Sequence, residues 1–177
     1  IANYIMFEMG QPLHIYDLDK LGNTICFENA KNGEKITTLN GESVEVPVGS
    51  ISITDGKKMV CLAGIIGTKD VEVTSGTKNI LIESACFDAV KIRVACQKTH
   101  IGTIASYRYE RGVDSDNCIN SGSLVAEKVL EICGGKLNSA FVIDNNKEEN
   151  VKVISIKKAN KLNGINITAQ RANMPKW

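Results

Sequence analysis

The sequence holds 177 residues, 43% hydrophobic and 23% charged, a balance that excludes a disordered chain and predicts a sizeable core. Its 21 lysines and arginines offset 20 aspartates and glutamates for a net charge of +1. A broad electrostatic field for nucleic acid is therefore excluded, and any RNA contact must come from a local patch or from neighbouring domains.

In chain order, residues 3–9 read as the last turns of a helix, with Gly10 as its C-cap and Pro12 preventing continuation. The opening residues carry no basic leader and no initiator methionine, and they read as the middle of an element, so a truncated start is expected rather than a signal peptide. Asp17 to Gly22 is polar punctuation. Strand-like runs follow at Ile25–Glu28, Lys35–Leu39, Ser43–Val46, Ser50–Thr54 and Met59–Ala63, with a two-residue hairpin signal at Asn40-Gly41 and a turn at Asp55-Gly56. Asn79–Ala85 is a short apolar run interrupted by Glu83. Asp88 can cap a helix reaching about Lys98, with Val90, Val94 and Cys96 facing inward.

Gly102 to Ser106 reads as a loop. A long helix begins at Asp114 or Asn117 and ends at Gly134-Gly135, its apolar face made of Leu124, Val125, Val129, Leu130 and Ile132. Phe141–Ile143 and Val151–Ile156 read as strands around the charged loop Asn145–Asn150, and Lys157–Leu162 as a short basic helix closed by Gly164. Short strands followed by helices predict an α+β domain with a mixed or largely antiparallel sheet and packed helices. Regular βαβ alternation and phosphate-binding glycine fingerprints are absent, which disfavours a dinucleotide fold or a nucleotide triphosphatase. No run approaches the roughly 20 apolar residues that span a bilayer.

The six cysteines are scattered without Cys-x-x-Cys spacing and are expected as free, buried thiols of a reducing compartment. His14 and His100 are far apart in sequence, so a histidine-based metal site is not expected. Four patches can hold chemistry. In Gly10–Asp17 a stiff loop after Pro12 aims His14 either into a pocket or into a satisfied structural role. In Ala63–Gly67 two glycines imply close backbone approach or a tight turn. Glu83 is either on a solvent face or held in a pocket; alternation places it with Leu81, opposite Ile80 and Ile82. In Thr103–Gly112 small residues can line a narrow pocket, while Arg108, Glu110 and Arg111 form an ion-pair network or touch phosphate. No nucleophile–base pair is visible.

Taken in order, these patches resemble the central B3/B4 module of the beta subunit of bacterial phenylalanyl-tRNA synthetase. The resemblance rests on Asn-Tyr…Gly-Gln-Pro-Leu-His-x-x-Asp from Asn3 to Asp17 and on Leu-Ala-Gly-Ile-x-Gly from Leu62 to Gly67. It continues with Asn-Ile-x-x-Glu-x-Ala-x-Phe from Asn79 to Phe87 and Ala-Ser-x-Arg-Tyr-Glu-Arg-Gly-Val-Asp from Ala105 to Asp114. It implies an editing domain over residues 1–145 lacking its N-terminal part, with 150–177 beginning a small nucleic-acid-binding-like domain. The tail Ala169–Trp177 does not match the expected continuation. An incomplete module would leave an apolar face of the sheet, or of the helix near Asp114–Cys133, exposed.

The resemblance implies hydrolysis of tyrosine wrongly attached to tRNA(Phe), within the enzyme that charges that tRNA with phenylalanine. His14 would lie near the terminal adenosine and the ester. Gly67 would leave room for the substrate, Glu83 would read the tyrosine hydroxyl, and Thr103 and Ala105 would line the aminoacyl pocket. Implied partners are tRNA(Phe) and an alpha subunit in a heterotetramer of two alpha and two beta chains, in the cytoplasm and without a membrane. ATP and Mg2+ are implied for the complete synthetase and no cofactor for this segment. The chain departs from the family pattern at Thr68, where a second glycine is common, and at Ile104, where aspartate is common. It departs again at Gln97–His100 and at Tyr107, where histidine is common. Two other readings are a structural, tRNA-docking scaffold without hydrolysis and a free-standing editing protein of the same fold.

Overall fold

The computed structural model describes residues 1–31, 33–143 and 161. Ile1–Ala140 forms one compact unit and Phe141–Trp177 a second, described only at 141–143 and 161. The expected strand, loop, helix and tail beyond residue 143 lie outside the described residues, Lys161 excepted.

Helix α1 (Ala2–Met9) ends where Gly10 takes φ 72° and donates its N–H to the Met6 carbonyl, a left-handed cap. Strand β1 (Leu13–Asp17) starts directly after Pro12, where a rigid loop was predicted. The segment β2 (Cys26–Asn29), β3 (Lys35–Thr37), β4 (Ser43–Glu45), β5 (Ile51–Thr54) and β6 (Met59–Leu62) follows the predicted runs within a residue or two. The β3–β4 connection is longer than the Asn40-Gly41 signal suggests. Thr38 still donates its N–H to Glu42, and Gly41, at φ 82°, donates to the Thr38 carbonyl, so the glycine closes a three-residue loop. The turn after β5 is held by the Asp55 carboxylate, which accepts from the backbone N–H groups of Gly22, Lys57 and Lys58.

Strand β7 (Ile66–Gly67) is followed by β8 (Ile80–Ser84), α2 (Ala89–Thr99), α3 (Ile104–Tyr109) and α4 (Asn117–Cys133). All named strand pairs are antiparallel, in sheets ordered β2-β5-β6-β7, β1-β8 and β3-β4, so the fold is α+β with helices packed on small antiparallel sheets. Strand β6 is buried along its whole length, which explains its unbroken apolar run. Met59 and Leu62 join a core with Ile36, Val46, Ile65 and Ile92, while Val60 and Cys61 join a second core with Tyr16, Ile53 and Val71.

Four further expectations need correction. Helix α2 is capped by Asp88 as predicted, but it turns Ile92 and Ala95 inward and leaves Val90 65% and Val94 41% exposed. Residues 104–106, read as loop, open α3, because Thr103 and Ser106 close a reciprocal capping box. Phe141–Ile143 forms no strand; the three side chains are exposed and pair with no described neighbour strand. All six cysteines are free, but only Cys61 is buried, with Cys26, Cys86 and Cys133 exposed.

Helix α4 buries Ser121 and Val125 and leaves Ile132 exposed. Exposed apolar side chains also occur at Ile119 on α4 and at Tyr4 and Phe7 on α1.

Candidate functional site

The site is built on the antiparallel β1–β8 ladder. Its register sets His14 opposite Glu83 and Tyr16 opposite Leu81, so these four side chains share one face. That face turns toward β6, where Tyr16, Leu81, Val60 and Cys61 pack together. Diagonally across the ladder the fully buried Tyr16 donates its hydroxyl to Glu83 Oε2 at 2.5 Å. The Tyr16 and His14 rings meet edge to face, with centroids 4.4 Å apart.

Gly67 reaches the same place from β7, paired with Cys61 of β6. A Cβ there would stand 2.5 Å from His14 Nε2 and 2.6 Å from His14 Cε1. The space that the glycine leaves open is thus taken by the imidazole, rather than standing free for a ligand. The β6–β7 connection turns on Gly64, at φ 68°, with Ile65 donating to the Leu62 carbonyl.

Thr103 and Ala105 belong to α3. The Thr103 hydroxyl accepts from Ser106 N–H and donates to the Ile65 carbonyl at 3.0 Å, so it is a helix cap anchored two residues from Gly67. Ala105 is half-buried against the core that contains Ile65 and Ile66. A cleft of about 440 Å³ lies beside α3, lined by Cys96 of α2 and by Gly102, Thr103, Ile104, Ser106, Tyr107 and Glu110. Of the expected site residues it includes Thr103 alone. His14, Gly67 and Glu83 therefore form one contiguous cluster, and Thr103 and Ala105 approach it through the Ile65–Ile66 segment. Ile104, 54% exposed, lines that cleft.

Burial sets the electrostatics. Desolvation pushes the Glu83 carboxyl up to about 7, opposed by the hydrogen bond from Tyr16, so the group titrates near neutrality. The same cause pulls His14 down to about 4, leaving a neutral imidazole at ordinary pH. Burial, with the Glu83 charge adding to it, raises the Cys61 thiol and the Tyr16 and Tyr109 hydroxyls, so neither the thiol nor the phenols are activated nucleophiles. The cluster combines a neutral ring, a carboxyl that can accept or donate, and apolar walls. That is a set for recognising a hydroxyl group and a water molecule by hydrogen bonding. Among the described residues no group of three or more His, Cys, Asp or Glu side chains stands close enough to hold a metal ion.

Tyr109 and Gln11 brace the ladder. The Tyr109 hydroxyl and the Gln11 amide both reach the carbonyls of Pro12 and Ala85, which flank β1 and β8. Gln11 and Tyr109 lie within the motifs that carry the resemblance but have no expected role there, and neither Tyr16 nor Cys61 is among the expected site residues. The signal for Tyr16 was its place two residues after His14 in the run Leu-His-Ile-Tyr-Asp, whose alternation is visible once Leu13–Asp17 is read as a strand. The charged residues in and just after α3 find local partners: Arg111 pairs with Glu110 and stacks on Tyr107, and Arg108 lies over Phe7 at 5.4 Å.

A family model of the B3/4 domain matches residues 1–134. Among curated proteins, the phenylalanine–tRNA ligase beta subunit of Fusobacterium nucleatum is 37% identical over 95% of this chain and 21% of its own length. That of Carboxydothermus hydrogenoformans is 37% identical over 97% of the chain and 22% of its own length. That of Aquifex aeolicus is 40% identical over 77% of the chain and 18% of its own length. The chain spans about a fifth of the curated relatives it matches.

Proposed function

Because the chain belongs to the B3/4 domain family, we propose that it is the editing module of a phenylalanine–tRNA ligase beta subunit and hydrolyses tyrosine mischarged onto tRNA(Phe). The observation that carries the reading is Glu83, a desolvated carboxyl in an apolar strand, directly opposite His14, whose ring packs on Gly67. Phenylalanine and tyrosine differ by one hydroxyl. A pocket shaped for phenylalanine rejects the larger analogue weakly, whereas a pocket that hydrogen-bonds the hydroxyl selects it strongly. Glu83 supplies that partner in a desolvated setting.

His14, neutral at ordinary pH, faces the terminal adenosine and the ester. Thr103 and Ala105 line the aminoacyl side. A fixed water, helped by the ribose hydroxyl of the tRNA, attacks the ester carbonyl, and no protein nucleophile takes part. Residues 1–145 form the editing domain and 150–177 begin the next, nucleic-acid-binding-like one. The whole enzyme, with its alpha subunit in a heterotetramer, tRNA(Phe), ATP and Mg2+, works in the cytoplasm, the charging chemistry lying outside this segment. No helix among the described residues is long and apolar enough to cross a membrane.

A second reading is favoured by one observation: the imidazole already fills the space at Gly67. If His14 is fixed there, the module is a tRNA-docking scaffold without hydrolysis. The test is release of free tyrosine from pre-charged Tyr-tRNA(Phe) by the complete enzyme. Release above the spontaneous rate that falls in Glu83→Ala supports editing at this site. No release from the unsubstituted enzyme supports the scaffold.

A further inference from the structure

We propose that Tyr16 is a positioning residue for Glu83: its hydroxyl occupies Oε2, so that Oε1 alone is presented to the hydroxyl of the substrate. The inference rests on the editing function proposed above and adds a residue to it. Tyr16 is completely buried, and its hydroxyl has travelled across the ladder to the carboxylate rather than to a carbonyl or to solvent. Its ring also stands edge-on to His14 at 4.4 Å. One side chain thus touches both groups, on two strands, that the substrate would meet.

A carboxylate has two oxygens and can accept from several donors. In an apolar setting an unconstrained carboxyl rotates, protonates and offers either oxygen. With Oε2 engaged by a donor, the carboxyl plane is fixed and the ionised, accepting form is favoured. The groups facing Glu83 are Tyr16 and His14 from β1, Cys61 from β6 and Tyr109 from α3. Helix α4 packs against β8 and contributes the Cys118 carbonyl, which accepts from Ser84 Oγ. None of the groups facing Glu83 is a cation at neutral pH, His14 being held neutral by burial. Tyr16 is therefore what favours the ionised carboxylate, against the desolvation that raises it.

The test uses the complete enzyme with Tyr16→Phe, which keeps the ring against His14, and with Glu83→Gln as reference. The carboxylic C=O infrared band that Glu83→Gln removes is titrated between pH 5 and 9, independently of activity. In Tyr16→Phe the midpoint should move to higher pH. In the tyrosine-release assay KM for Tyr-tRNA(Phe) should rise by up to about tenfold as the carboxyl loses its fixed plane and part of its ionised form, with the acid limb of the rate profile moving up alongside the infrared midpoint. An infrared midpoint that stays in place, or a rate profile and KM unchanged in an enzyme that does release tyrosine, overturns the role of Tyr16 and leaves editing standing. An unsubstituted enzyme that releases no tyrosine overturns the editing function, and this role with it.

Discussion

Gly67→Ala tests the packing at the centre of the cluster. The new methyl carbon would lie 2.5 Å from His14 Nε2 and 2.6 Å from Cε1, with Leu39 Cδ1 next at 3.5 Å. Ordinary contact needs about 3.5 Å, so the imidazole must retreat by roughly 1 Å. It has little room to do so: its backbone is pinned opposite Glu83 and its ring is braced on Tyr16. Overpacking of this kind costs about 1–3 kcal/mol. Replacing glycine returns up to about 1 kcal/mol of backbone entropy, because Gly67 is not in the left-handed region. A net loss of about 1–2 kcal/mol in urea unfolding is expected. A second readout is the imidazole itself. The chain has two histidines, so two ring signals are followed by NMR. His14 titrates at about 4 while buried, and displacement toward solvent should carry it up toward 6.5. An alanine variant of unchanged stability whose His14 still titrates near 4 would refute the contact between Gly67 and the ring.

The two perturbed groups also oppose each other in pH dependence. The neutral His14 contributes stability that is full above about pH 6.5 and is lost as pH falls toward 4, because the unfolded histidine takes up the proton first. Glu83, raised to about 7, works the other way: its burial is least costly while protonated, and stability falls as pH rises from about 4.5 to 7. Over the shared window the slopes offset, so Glu83→Gln should unmask a rise in stability with pH of up to about 3 kcal/mol, read by urea unfolding at pH 4.5 and 7. Asp88→Ala, which removes the acceptor for Val90 and Lys91 N–H, should cost about 1 kcal/mol and fray α2, seen as faster amide exchange there. Thr103→Val should cost about 1–2 kcal/mol by deleting both the cap of α3 and the tie to Ile65, whereas Thr103→Ser should restore most of it.

Elements with strong local punctuation were readable in the sequence. Gly10 after α1, the Asp55-Gly56 turn, Asp88 before α2 and Gly134 after α4 each mark a boundary through a backbone or capping requirement that few residues meet. Strand β1 escaped notice because His14 and Asp17 interrupt its apolar character and Pro12 precedes it; its partner β8 lies far along the chain. Helix α3 has six residues, too few for a helical period to show, and its start is set by the Thr103–Ser106 exchange. The inward face of α2 was misread because apolar residues at 90, 92, 94, 95 and 96 fit two arcs, and only packing against β6 and α3 selects Ile92 and Ala95. In the candidate site the cross-strand pairing of His14 with Glu83 is a register fact, and the Tyr16 hydroxyl finds its acceptor only after that register is fixed.

The β1–β8 ladder also bears on how the molecule reaches its native state. Tyr16 and Glu83 are 67 residues apart, and the ladder that joins them closes around most of the antiparallel sheets between. Hairpins such as β3–β4 form from neighbouring residues, but β1 and β8 must meet across a long loop whose closure entropy is unrewarded until pairing begins. Their joining is expected to be a late event in folding. His14 and Glu83 therefore face each other only when the intervening chain has already assembled, and amide exchange in β1 should proceed through global opening rather than local fraying.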